Sequence, residues 1–180
     1  MNLSTLQFAP TVTLPESFSL YRVQRQRARP GSVKLGALRM PPLSIRAGRF
    51  DLQSAPVGYF AETPETAGYE TIARREMTMA SLRAIGQRTL MCFETREPLN
   101  MLDLRPHAST WPVLQSLWFS HTQMLAEDVN KAGFDGIIYR SAQQFGLDCF
   151  AVFGAHLERL RIRWSQPLVH PKTGQLHSVV

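Results

Sequence analysis

The sequence holds 180 residues, 44% of them apolar, a length that suits one domain and an apolar share sufficient for a buried core. Its formal charge of +6 comes from 17 arginines against three lysines, Lys34, Lys131 and Lys172; the planar, two-pronged guanidinium leans toward a phosphate-bearing ligand, nucleic acid or an acidic protein partner, unless arginine is simply abundant throughout. Cys92 and Cys149 are the only cysteines and sit in no CxxC or Cys/His cluster, so neither a disulfide framework nor a zinc site is indicated, a reducing cytoplasmic setting fits, and without a run of about twenty apolar residues no membrane partner is expected.

Residues 1–17, with Pro10 and Pro15, read as an arm leading to a first strand at Ser19–Gln24 (SLYRVQ). From Arg25 to Ile45 the chain carries Pro30, Gly31, Gly36, Pro41 and Pro42 with no sustained period, which predicts a long loop. Val57–Ala61 (VGYFA) reads as a strand. Directly after it, Thr63 as N-cap, Pro64 at the first helical position and Glu65 in the first turn predict a helix. Tyr69, Ile72, Ala73, Met77 and Ala80 recur at helical spacing and carry that helix to about Arg83, with Glu70 off the centre of its apolar face. Thr89–Glu94 (TLMCFE) and Leu99–Leu104 (LNMLDL) read as strands joined by a turn near Arg96–Pro98.

A second helix is predicted from Val113 to Ala132, with Leu114, Leu117, Trp118, Met124, Leu125 and Val129 buried and Gly133 as its stop. Gly136–Tyr139, Cys149–Phe153 and Leu157–Trp164 complete the strands, and 166–180, with Pro167, Pro171 and Gly174, reads as a loose tail. Strands outnumber helices and do not alternate strictly with them. The expected fold is therefore α+β: one domain over 18–165, with mixed or antiparallel sheets and flanking helices.

Within this frame Arg49 falls in a loop before a strand, Tyr59 within the strand and Glu70 on the helix that follows. Tyr21 and Arg22 on the first strand and Ser141 after the Gly136–Tyr139 strand can join them in one cleft. Guanidiniums suit a diphosphate, an aromatic face suits a flat base, and a carboxylate suits a centre where positive charge develops. Each residue also has an ordinary explanation. Glu70 and Arg74 are four apart and can form a surface ion pair, Tyr59 suits a core, and Ser141 can simply end a strand. The five histidines, His107, His121, His156, His170 and His177, form no ligand pair; His121 is expected to be partly buried. Arg159, Arg161 and Arg163 alternate and would share one strand face, a stripe for nucleic acid or an acidic protein partner or, more simply, an exposed solvated edge, and the cluster Arg22, Arg25, Arg27 and Arg29 admits the same choice. No helix-turn-helix, zinc finger or aromatic–basic motif points to nucleic acid as a direct partner.

Taken in order, Tyr21–Arg22 (LYRV), Gly48–Asp51 (GRFD) with Tyr59 and Glu70, and AGFDGIIYRSA from Ala132 to Ala142 with FAVFG behind it resemble the RES domain family. That family is named for its arginine, glutamate and serine, and its members include toxins of bacterial toxin–antitoxin pairs. The resemblance spans roughly Ser19 to Arg163, with two departures: Asp51 stands where the pattern commonly has Asn, beside the expected phosphate pocket, and Arg140 stands where it has a turn-forming Pro. It implies an ADP-ribosyltransferase-like fold and cleavage of the nicotinamide–ribose bond of NAD by phosphorolysis or hydrolysis. NAD is then a substrate, inorganic phosphate a co-substrate in the phosphorolytic case, and a helical antitoxin the partner; no metal or cofactor is called for. On that implication Glu70 faces the ribose and its developing cation, and Arg22 and Arg49 hold phosphates. Tyr59 stacks on or orients nicotinamide, Tyr21 lines the pocket, and Ser141 bonds near the ribose or the nicotinamide amide. Transfer of ADP-ribose to a macromolecule, and a basic binding module on the same scaffold, are the alternatives.

Overall fold

The fold was obtained as a computed structural model, which describes residues 10–72, 85–111, 114, 118–142 and 146–168. Its centre is β9 (Asp148–Phe153), all six residues of which are buried. A strand covered on both faces reads as a continuous apolar run, which is what DCFAVF supplies. Phe150 and Val152 face a core with Phe60, Phe93 and Met101, whereas Ala151 and Phe153 face a second core with Phe50, Leu52, Val57 and Leu125.

Around β9 lie β8 (Gly136–Arg140) and β5 (Val57–Ala61), then β7 (Leu99–Asp103) and β1 (Thr11–Leu14) on one side and β2 (Ser19–Arg25), β6 (Arg88–Thr95) and β10 (Leu160–Pro167) on the other. The eight strands form one sheet in the order β1-β7-β8-β9-β5-β2-β6-β10. Among the described residues only β7 and β8 pair in parallel, because the helix α2 (Ser120–Lys131) crosses over between them. Leu125, Ala126 and Val129 of α2 are fully buried on the second core. The first core is closed by the hairpin of β3 (Val33–Leu35) and β4 (Leu38–Met40), through Leu38 and Met40, and by Leu157 of a 3-10 turn over Gly154–Arg159.

The sheet is mixed and the class is α+β, as expected. Several local expectations change. The N-terminal arm contains β1, paired antiparallel with β7 from Thr11↔Leu102 to Leu14↔Leu99. The long 25–45 loop holds the β3–β4 hairpin, whose reversal uses Gly36 at φ +54°. Helix α1 (Pro64–Thr71) starts as its capping residues dictate, with Thr66 N–H donating to Thr63 Oγ1 at 3.2 Å. Its buried side, however, is Thr66 and Ala67, and Tyr69 is 47% exposed. Glu70 stands three residues after Ala67 and so shares that inward side. The expected continuation to Arg83, the Glu70–Arg74 pair, Leu117, and most of the arm and tail lie outside the described residues.

Helix α2 begins at Ser120, so Trp118 (81% exposed) and Met124 (60%) face outward, while Leu114 is buried ahead of the helix. His121 is exposed rather than partly buried. The last strand starts at Leu160 because Leu157–Arg159 belong to the 3-10 turn, and its ladder with β6 shifts register between Ile162 and Trp164. Arg159 therefore shares no strand face with Arg161 and Arg163. Instead it pairs with Glu97 and Asp135, whereas Arg161 Nε donates to Glu94 at 2.5 Å on the outermost strand.

Candidate active site

The site lies where the sheet splits. Strands β2 and β5 are paired at a single position, Tyr21↔Ala61, and diverge from it. Arg22 bridges the gap in place of ladder bonds: Nη1 donates to Tyr59 O at 2.7 Å and Nη2 to Arg39 O at 3.2 Å, and the guanidinium carbon stands 5.8 Å from the Phe60 ring centroid. Its Nε is buried and has no partner among the described residues. Burial pulls the guanidinium down to about 10, partly offset by Tyr59 and Asp51; it stays a cation at neutral pH. The opening is a cleft of ≈ 540 Å³, within the range of small-molecule pockets.

Arg49 is presented by a tightly tied turn. Asp51 accepts from Gly48 N–H through Oδ2 at 2.6 Å and from Tyr59 Oη through Oδ1 at 2.9 Å, and Tyr59 Oη accepts from Phe50 N–H at 2.8 Å. From the other side α2 clamps the same turn: Thr122 Oγ1 donates to Arg49 O at 2.6 Å, and Gln123 Nε2 donates to Gly48 O at 2.8 Å and Arg46 O at 3.0 Å. The Arg49 guanidinium bonds Leu114 O and lies 5.1 Å over the Phe119 ring. Asp51, whose charge the sequence places beside the phosphate pocket, is thus turned onto the backbone and the Tyr59 hydroxyl.

Tyr59 borders the cleft, but its hydroxyl is committed to this turn, and burial and then Asp51 push its pKa well above the usual tyrosine value. Tyr59→Phe is expected to destabilise the fold by about 1–3 kcal/mol, since Phe50 N–H and Asp51 each lose a partner; chemical denaturation checks this.

Opposite the turn, Ser141 Oγ donates to Glu70 Oε1 at 2.5 Å, joining residues 71 apart in sequence. Ser141 is 3% exposed, directly after β8. Its N–H bonds Leu147 O at 2.9 Å, and Arg140 donates to Gly146 O at 2.7 Å and to Asp148 Oδ1 at 2.5 Å. Asp148 also pairs with Arg105, which forks onto Asp103. An ion-pair network therefore joins the end of β8 to the start of β9 at the position where the family pattern uses proline.

Tyr21 lines the cleft with its ring 6.1 Å from Trp164; burial and then Cys92 raise its pKa. Cys149 and Tyr139 complete the floor. Burial and the Glu70 charge push the Cys149 thiol far up, so it is no thiolate nucleophile. Tyr139, edge-on to Phe50 at 4.9 Å, is raised by burial, Cys149 and Glu70 and stays a neutral hydroxyl.

Tyr21, Arg22, Arg49, Tyr59 and Glu70 all line this one cleft, and Ser141 reaches it through Glu70. Phe119, Thr122, Gln123 and Tyr139 were not legible as site residues. Phe119 and Thr122 flank the start of a helix whose boundary the sequence blurs. Tyr139 reads as strand core.

The fold and site together define an α+β domain whose split sheet holds a guanidinium on one wall and a serine-tethered glutamate on the other. Residues 19–170 match the RES domain, and the chain belongs to the RES domain family. Among solved structures it resembles a chain of the M. tuberculosis MbcT–MbcA toxin–antitoxin complex, with TM-score 0.70 and 17% identity over 92% of this chain and 91% of that one, a likeness of fold. No curated protein matches the chain.

Proposed function

We propose that the chain is an NAD-degrading enzyme that cleaves the nicotinamide–ribose bond, working as the toxin of a toxin–antitoxin pair. The observation that carries this reading is the Ser141–Glu70 bond in the arginine-bearing cleft. Nicotinamide leaves as a neutral base, so positive charge grows on the ribose ring at C1′ as the bond lengthens. A fixed carboxylate stabilises that charge, as in glycoside cleavage. Ser141 holds one Glu70 oxygen and orients the other toward the ribose. Arg49 faces the diphosphate, held by Leu114 O and Phe119 so that little reorganisation is needed. Tyr139 and Tyr21 offer rings to the base, and Tyr59 acts by fixing the turn that carries Arg49.

Water or phosphate then attacks C1′ as the bond to nicotinamide breaks. The acceptor oxygen bonds to carbon, its proton passes to solvent, and ADP-ribose or its anomeric phosphate is released. The catalytic unit on this reading is 18–165. Its setting is the cytoplasm, and a helical antitoxin covers the cleft; the fold's likeness to a chain of a toxin–antitoxin complex supports such a partner. Among the described residues no helix is long and apolar enough to cross a membrane.

The test is to incubate purified protein with NAD, with and without inorganic phosphate, and to identify both products. Free nicotinamide with ADP-ribose or its phosphate is expected. Label retained on protein or nucleic acid would instead indicate transfer, and no nicotinamide under either condition would defeat the reading.

A further inference from the structure

We propose that the cleft holds a second anion site, built around Arg25, Arg29 and Arg88, that takes a phosphate monoester on the adenosine half of the dinucleotide, making the phosphorylated dinucleotide the better substrate. This rests on the NAD-cleaving reading above.

Among the described residues, seven arginines line the cleft, Arg22, Arg25, Arg27, Arg29, Arg39, Arg49 and Arg88, against two carboxylates, Asp51 and Glu70. Both carboxylates are engaged, Asp51 by Gly48 and Tyr59 and Glu70 by Ser141. A diphosphate carries only two negative charges, so these cations exceed what the unphosphorylated dinucleotide neutralises.

Position separates the groups. Tyr21 stands across Ala61 from Cys149, whose thiol feels the Glu70 charge, and so marks the Glu70 end. Side chains alternate along a strand, so Tyr21, Val23 and Arg25 share one face. Arg25 stands opposite Arg88 in the β2–β6 ladder, four residues from Tyr21, or about 13 Å at ~3.3 Å per residue. That separation suits the two ends of a dinucleotide.

Arg25, Arg27 and Arg29 are exposed, and the backbone that carries the cluster is tied down. Gln26 N–H bonds Gln87 O at 2.9 Å, and its side chain reaches Gly86 O at 3.2 Å and Arg88 O at 3.3 Å. The Arg39 guanidinium holds Arg25 O at 3.1 Å and also bonds Gln26 O, while Gln24 ties β2 to the β3–β4 hairpin through Ala37 O and Arg39 N–H. Among the described residues no carboxylate pairs with Arg25, Arg27, Arg29 or Arg88. Arg88 is instead perturbed by burial and then by the charges of Arg25 and Arg29. Cations gathered on a concave wall without counter-charge are relieved by an anion bearing several charges, and guanidiniums match phosphate with paired donors. Concavity favours a small phosphate over a flat polyanionic partner. An arginine beside the adenosine ribose is also how a 2′-phosphate is commonly accommodated.

The experiment compares kcat/KM for nicotinamide release from NADP and NAD, in wild type and in the Arg29→Ala/Arg88→Ala protein. In parallel, calorimetry in phosphate-free buffer compares adenosine 2′,5′-bisphosphate with AMP. Wild type is expected to prefer the phosphorylated member of each pair by about tenfold or more, and the double variant to lose both preferences; circular dichroism confirms that it is folded. Arg88→Lys, which keeps the charge, should retain part of each. Equal kcat/KM with NAD still cleaved overturns the inference and leaves the enzymatic reading standing. A bisphosphate preference without cleavage of either dinucleotide supports the anion site and defeats the enzymatic reading. Equal affinity for AMP and the bisphosphate overturns the site. So does inorganic phosphate binding at the arginines in place of the bisphosphate, which would assign them to a free anion.

Discussion

Replacing Glu70 by glutamine should slow nicotinamide release by about 10²–10³-fold while leaving the thermal melt nearly unchanged. The substitution keeps the shape of the side chain and an oxygen able to accept from Ser141, so the contact at 2.5 Å survives in kind. On the proposed reaction it removes the negative charge that faces the sugar as the cation develops, and loss of one preorganised electrostatic group typically carries a penalty of that size. Among the described residues the half-buried Glu70 is bonded to one side chain, so little stability depends on its charge. Ser141→Ala should slow the reaction less, because the carboxylate remains but is no longer aimed. Initial rates at saturating NAD, set beside melting curves, check both. Glu70→Gln at full rate would remove the carboxylate from the chemistry.

The second large effect is expected from a residue that touches no substrate. A Cβ built on Gly48 stands 2.4 Å from both Asp51 Oδ1 and Tyr59 Oη and 2.6 Å from Tyr59 Cε2. These are not free side-chain ends that can swing away. Asp51 and Tyr59 are bonded to each other, to Gly48 N–H and to Phe50 N–H, and α2 holds the same turn through Thr122 and Gln123. Alanine at position 48 must therefore open the turn and displace Arg49. A shift of about 1 Å in a positioned group costs on the order of 10²-fold in rate, and the overpacking about 1–3 kcal/mol in stability. Gly48→Ala should thus lower kcat/KM about a hundredfold and reduce the denaturation midpoint, measured on one preparation. A variant with wild-type kinetics would show that Arg49 need not be held where it is.

How much of this was legible in the chain follows from the range of the interactions concerned. Val57–Ala61 and the start of α1 were readable because their signals are local: an apolar run, then a threonine cap and a proline at the first helical position. The side that α1 buries was not. Periodicity favoured Tyr69, but the helix meets the sheet through the small Thr66 and Ala67, which brings Glu70 inward and leaves Tyr69 in water. Trp118 and Met124 misled in the same way, because apolar residues at helical spacing imply burial only if the helix includes them and faces a core. Strand β1 depends on β7, far along the chain, and β3 and β4, three residues each, pair with one another and are too short to show a period. The convergence of Arg49, Glu70 and Ser141 was suggested by motif order, but the Asp51–Tyr59 lock and the Arg140–Asp148–Arg105 network are long-range contacts that spacing does not encode. The hydroxyl of Tyr59 shows the difference most plainly: the sequence offers a ring for the base, and the fold uses the oxygen to brace a turn.

The central claim is that one cleft binds a pyridine dinucleotide with its scissile sugar against Glu70, and the most direct measurement is a crystal structure of the Glu70→Gln protein with NAD bound. The expected density puts the ribose C1′ about 3–3.5 Å from the side chain at position 70, with the diphosphate against Arg49. NAD lodged elsewhere on the protein, or a cleft that stays empty at saturating NAD, would contradict it.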